Sequence, residues 1–147
     1  MSDTIIKFIP KDPYYKPPRA VMQDLAAVSA GGTPCEVQVQ ETVEFTDAGE
    51  NFESVRCPFC QSDLMDAWGD AMDTAYLAGE GFANLAYMTP CCRKPTTLND
   101  LEYEWPQGFY KTMVSFPTQL EEDIIAGILQ GLQAKTGADW RIVKAYI

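Results

Sequence analysis

Histidine is absent from the 147-residue sequence, and basic residues are few, with 11 Lys and Arg against 21 Asp and Glu. The missing imidazole excludes Ser-His-Asp and Cys-His catalysis, histidine-ligated catalytic zinc and a histidine pH switch. The net charge of −10 disfavours nucleic acid and anionic membranes as partners, because both attract surfaces rich in Lys and Arg. Disorder is excluded as the main state, since 46% of the residues are apolar.

Long hydrophobic runs are also missing. No segment approaches the roughly 20 apolar residues that span a bilayer, and the N-terminal residues lack the basic region and apolar run of a signal peptide. We therefore expect a cytoplasmic protein without a membrane segment. In a reducing compartment, the five cysteines indicate metal ligands or core thiols rather than disulfides.

The pattern of apolar residues predicts a single α+β domain over residues 1–147, with a mostly antiparallel sheet and about three helices. Strands are predicted near 5–9, 36–45, 82–88, 99–105, 109–116 and 140–147, and helices near 18–30, 62–78 and between a Thr118–Glu121 capping box and Gly137. Pro106-Gln107-Gly108 favours a hairpin between the fourth and fifth of these strands.

The negative charge is concentrated in residues 21–92, which contain twelve acidic residues and Arg56 as their single base. Four of these acids share one side of the second predicted helix: Asp63, Asp66, Asp70 and Asp73. Like charges at such spacing slightly destabilise a helix, so the pattern favours a role as a docking face for a basic protein. An ordinary solvated helix face is the more common explanation of such a stripe, and a cation site is a further alternative.

The cysteines form two pairs about 30 residues apart, Cys57 with Cys60 and Cys91 with Cys92, each next to a proline. Two such knuckle-like loops, near 57–60 and 89–94, would supply four thiolates to one Zn²⁺ ion. A closed four-thiolate site has no open position for water, which predicts a structural rather than a catalytic ion.

The second pair departs from the usual spacing, because its cysteines are adjacent instead of two residues apart. Two alternatives therefore stay open: a three-thiolate site completed by Cys35 or a carboxylate, and no metal at all. The neighbouring Arg93 and Lys94 would offset part of the negative charge of a tetrathiolate.

Three segments carry a resemblance: Cys57-Pro58-Phe59-Cys60, Thr89-Pro90-Cys91-Cys92 and Leu98-Asn99-Asp100-Leu101-Glu102-Tyr103-Glu104-Trp105-Pro106-Gln107-Gly108-Phe109. In these segments the chain resembles a group of uncharacterised bacterial proteins with a zinc-ribbon-like cysteine arrangement. The resemblance implies a metal site and a single domain, and it implies no activity.

The combined features predict a non-enzymatic protein with a structural zinc site that binds another, basic protein, as immunity and inhibitor proteins do. One alternative is a metal- or thiol-dependent enzyme that uses an open metal position or a reactive Cys35 or Cys91. The other is a zinc-ribbon protein associated with nucleic acid, which the charge distribution opposes.

Overall fold

The computed structural model describes residues 4–30, 32–77 and 80–146. In these ranges the chain forms three helices, ten strands and a short 3-10 helix at Leu98–Asp100. The elements are, in order, β1 (Thr4–Pro10), α1 (Arg19–Ala26), β2 (Ser29–Ala30), β3 (Thr33–Pro34), β4 (Glu36–Thr46), β5 (Val55–Arg56), α2 (Met65–Ala75), β6 (Ala86–Met88), β7 (Pro95–Thr97), β8 (Glu102–Tyr103), β9 (Gly108–Phe116), α3 (Glu122–Thr136) and β10 (Trp140–Tyr146). The predicted α+β class is confirmed. None of the helices in these ranges combines the length and the apolarity needed to cross a membrane.

The main sheet has four antiparallel strands in the order β10-β1-β9-β4. Strand β9 is central and buried along almost its whole length, which explains its nearly continuous apolar sequence. Helices α1 and α3 pack on one face of this sheet, where Leu25 and Leu132 contact the cluster that contains Phe8, Val114 and Phe116. This first core joins the two ends of the chain.

A second core lies at the end of the main sheet where β9 begins and β4 ends. Its buried members are Val43, Val55, Cys57, Leu64, Phe82, Leu85, Leu98, Leu101, Tyr103 and Phe109. The apolar side of α2 packs against it through Trp68, Ala71, Met72 and Ala75, as the helical periodicity predicts. Two small antiparallel ladders, β5 with β8 and β6 with β7, complete this region. The two cysteine loops extend from these ladders.

The predicted hairpin across Pro106-Gln107-Gly108 is wrong. Residues 99–105 do not pair with 109–116; instead β8 pairs with β5, and β9 lies between β1 and β4. Gln107 is buried and accepts a hydrogen bond from the Ala48 N–H at 2.9 Å, while its carbonyl accepts one from Arg141 Nη1 at 2.8 Å. These hydrogen bonds to residues distant in sequence hold the loop 106–108 inside the protein. The segments before and after the loop therefore do not pair with each other.

Several element ends also differ from the sequence prediction. Helix α1 ends at Ala26 and α2 covers Met65–Ala75, so both are shorter than expected, and the strand predicted at 82–88 is reduced to Ala86–Met88. The capping box is absent, because Glu121 occupies the N-cap without a side-chain hydrogen bond. The left-handed Gly137 (φ 69°) does end α3 as predicted. The predicted ends at 78 and 147 lie outside the described residues.

Candidate metal centre

Each cysteine pair lies at the six-residue tip of a hairpin. In the first tip, residues 57–62, the Cys57 N–H donates to the Ser62 carbonyl at 2.9 Å, and the Gln61 N–H donates to the Cys57 carbonyl at 2.9 Å. The second tip, residues 89–94, connects β6 to β7.

The same two backbone hydrogen bonds close the second tip. The Thr89 N–H donates to the Lys94 carbonyl at 3.1 Å, and the Arg93 N–H donates to the Thr89 carbonyl at 2.8 Å. The fifth residue of each tip is left-handed, with φ of 66° at Gln61 and 54° at Arg93. The two tips therefore share one backbone conformation, although their cysteine spacing differs.

This correspondence explains the adjacent cysteines. When the tips are aligned, Cys92 takes the position of Cys60, and Thr89 takes the position of Cys57. The Thr89 hydroxyl lies 3.2 Å from the Cys92 Sγ atom and accepts a hydrogen bond from the Lys94 N–H at 3.1 Å. Thr89 thus supports the loop, and Cys91, one position earlier than Cys92, supplies the fourth thiol. Sequence reasoning missed Thr89, although the repeated proline after Cys57 and Thr89 was a signal for the alignment.

The four predicted cysteines come together. The Sγ atoms of Cys57, Cys60, Cys91 and Cys92 all lie within 4.8 Å of one another. The distance is 3.3 Å between Cys60 and Cys91, 3.6 Å between Cys57 and Cys92, and 3.9 Å between the two adjacent cysteines. Four sulfurs placed tetrahedrally at about 2.3 Å from one zinc ion are about 3.8 Å apart. The cluster therefore has the size of a four-thiolate metal site.

Cys35 belongs to a different part of the fold. It packs against the first core and lies near the Leu25 carbonyl, with 3.3 Å between its Sγ atom and that oxygen. Burial raises the pKa of its thiol. In the described residues, neither Cys35 nor a carboxylate joins the four-sulfur group. The alternative ligand set that includes Cys35 is therefore wrong, and a thiol with a raised pKa is a poor nucleophile.

The electrostatics of the cluster favour a cation. Burial opposes the ionisation of Cys57, but backbone N–H groups of the tip and the neighbouring thiols outweigh it and lower its pKa to about 6. Burial and the adjacent sulfurs raise the pKa of Cys91 to about 12. Four thiolates this close repel one another unless a positive ion lies between them, and such an ion deprotonates its thiol ligands.

The cluster lies at the border between the second core and solvent. Cys57 is fully buried and Cys92 half-buried, whereas Cys60 and Cys91 are exposed. A metal ion here would join two hairpin tips to each other and to the second core. Lys94 adds a second link between the tips, because its Nζ atom lies 5.3 Å from the centre of the Phe59 ring.

The predicted acidic face borders this centre. Asp63, Asp66, Asp70 and Asp73 are all exposed, and no Lys or Arg nitrogen among the described residues lies within 4 Å of their carboxylates. Asp63 precedes α2 and accepts a hydrogen bond from the N–H of Met65, the first residue of the helix, at 2.8 Å. The other three lie on the exposed side of α2.

Comparison of this chain with protein-family models, with curated proteins and with solved structures gave no match. The resemblance to bacterial zinc-ribbon-like proteins stays a prediction. A fold class alone does not specify an activity, so function has to be argued from the cysteine cluster and the protein surface.

Proposed function

We propose that Cys57, Cys60, Cys91 and Cys92 bind one Zn²⁺ ion with a structural role. The observation that carries this proposal is the four-sulfur group within 4.8 Å, built from two hairpin tips of the same conformation. Among the metals that are common in proteins, thiolates bind mainly zinc and the iron of iron–sulfur sites. Four of them fill a tetrahedral zinc ion completely, so this ion would not activate water.

The metal proposal is tested by native mass spectrometry and elemental analysis of the protein purified under reducing conditions. We expect one zinc per chain. The Cys60→Ala variant should lose the metal, whereas Cys35→Ala should keep it, because Cys35 lies outside the cluster. Protein without metal, or with iron and its visible thiolate absorption, would contradict the proposal.

We further propose that the protein is a non-enzymatic binding protein for a basic protein partner. Its support is the acidic side of α2, where four exposed carboxylates have no basic counterpart within 4 Å among the described residues. Helix α2 itself contains no Lys or Arg. Such a surface attracts basic proteins at long range and repels nucleic acid.

The partner proposal is tested with the native protein and a variant with Asn at 63, 66, 70 and 73. Both are immobilised and used to capture proteins from lysate, and the dissociation constant is then measured with the purified partner. We expect a basic partner, release by salt, and affinity at least tenfold weaker for the variant. Equal affinities of the two proteins would contradict the role of this face.

A further inference from the structure

A groove runs along α2 between this helix and the strand β6. Its larger part has a volume of about 670 Å³, and a second part of about 430 Å³ continues it towards the cysteine cluster. Both parts share Ala67 and Pro90 in their lining, so they lie next to each other on the surface. The tip residue Cys91 lines the second part. The proposed metal site and the groove therefore share a wall.

The floor of the groove is apolar and made largely of small side chains. Ala67, Ala71 and Ala75 line it from α2, and the buried Leu98 lies beneath it. At the rim, Met88 is 61% exposed and Leu77 48% exposed. Large apolar side chains left this open beside a cavity are typical of a binding surface.

One wall of the groove carries negative charge. Asp70 lines the larger part, and Asp63 and Asp66 line the smaller part, whereas Asp73 is exposed but lines neither. An occupant of this groove has to combine basic groups with apolar ones. Nucleic acid lacks the basic groups, which leaves a basic protein segment as the matching occupant.

The opposite wall is the free edge of a strand. Among the described residues, β6 pairs with β7 alone. The groove is lined by all three residues of β6, Ala86, Tyr87 and Met88. No residue of β7 lines it, so β7 lies on the far side of β6. The Ala86 N–H on this edge donates to Asn84 Oδ1 at 3.0 Å, which leaves the Ala86 carbonyl and both backbone groups of Met88 to pair with an added strand. Extended peptides add to such strand edges.

We propose that this groove binds an extended segment of the partner protein, in which Lys or Arg alternates with small apolar residues, as an added strand on β6. The basic side chains contact Asp66 and Asp70, and the apolar ones cover the alanine floor. This inference rests on the proposed binding of a basic protein and names the place and conformation of the bound segment. Because Pro90 and Cys91 shape the groove, the metal-loaded protein is the binding form.

The experiment uses zinc-loaded protein and a fluorescein-labelled heptapeptide of alternating lysine and valine, with fluorescence anisotropy at about 50 mM salt as the readout. A second peptide has the same sequence with every backbone nitrogen methylated, which removes the N–H donors of both edges but keeps the charge. We expect the first peptide to bind and the second to bind at least tenfold more weakly. Equal binding of the two peptides would exclude strand addition, and no binding at millimolar peptide would overturn the inference.

Protein variants separate the groove from general charge attraction. Ala86 is exposed in β6, so Ala86→Trp should fill the groove without disturbing the core and weaken binding at least tenfold. Ala126→Trp, at an exposed position on α3 away from the groove, should bind like the native protein. Asp70→Asn should weaken binding about fivefold, and Asp73→Asn less than twofold.

The outcomes distinguish this inference from the proposed function. Unchanged binding by Ala86→Trp, or equal losses with Asp70→Asn and Asp73→Asn, would overturn the groove while the acidic face keeps its role. A dimer in sedimentation that Ala86→Trp dissociates would instead make a second copy of this chain the occupant. The variant with four Asn removes the acidic wall of the groove together with the rest of the acidic face, so it tests the partner proposal. Ala86→Trp keeps all four carboxylates and tests the groove separately.

Discussion

Loss of the metal is expected to loosen the second core and to spare the main sheet. The perturbation is Cys60→Ala, because Cys60 is exposed and its removal leaves no cavity in the core. Any large loss of stability must then come from the ion. The second core should depend strongly on a bound ion, because its two ladders are short: β5–β8 pairs two residues and β6–β7 three.

The expected magnitude follows from metal linkage. Structural zinc sites contribute about 10–16 kcal/mol at the 1 M standard state. At about 1 μM free zinc, roughly 8 kcal/mol of this is offset by the dilution of the ligand. A zinc ion bound as proposed would therefore stabilise the native protein by about 2–8 kcal/mol relative to the metal-free chain. A typical domain has only about 5–15 kcal/mol in total, so the effect should be large.

The assay is hydrogen exchange followed by mass spectrometry, combined with thermal unfolding. In Cys60→Ala, or after chelation of the native protein, amides of residues 55–104 should exchange much faster. Amides of β1, β9 and β10 should keep most of their protection, because α1 and α3 cover their side of the sheet. Cys35→Ala serves as the control that keeps the ion. Unchanged protection of residues 55–104 after complete removal of zinc would refute a structural role.

Three further predictions concern individual side chains of the cysteine tips and of the loop around Gln107. The variant that combines Thr89→Cys with Cys91→Ala should still bind one zinc, because Thr89 occupies the position that Cys57 has in the other tip. Cys91→Ala alone should lose the zinc, and native mass spectrometry distinguishes the two results. Replacement of Arg141 by Met should lower the free energy of urea unfolding by about 3 kcal/mol, since Arg141 Nη1 donates to three oxygens of Asn99 and Gln107; a loss below 1 kcal/mol would contradict this. Gln61→Gly should raise the unfolding free energy by about 0.5–1 kcal/mol, because φ of 66° strains a residue with a Cβ atom; a destabilised variant would show that the Gln61 side chain matters.

The adjacent cysteines illustrate a limit of spacing arguments. Along the chain, Cys91 and Cys92 depart from the spacing of Cys57 and Cys60, and this spacing also allows a site with fewer thiolates. In the fold, the second tip repeats the backbone of the first with Thr89 at its first position, and all four sulfurs converge. Ligand distance depends on the loop conformation, which residue spacing describes only indirectly.

Local patterns in the sequence determined the α+β class, the three helices, the first and last strands of the chain and the four cysteines that cluster. They do so because side-chain periodicity, helix termination at Gly137 and thiolate chemistry act over a few residues. The folded chain was needed for strand pairing and for the groove. The hydrogen bond from Ala48 to Gln107 spans 59 residues, and the one from Arg141 to Gln107 spans 34. These long-range hydrogen bonds determine the path of the chain at Pro106 more strongly than the local tendency to form a hairpin turn. The groove likewise exists only because packing on the second core places α2 opposite the free edge of β6, a relation that no stretch of sequence contains.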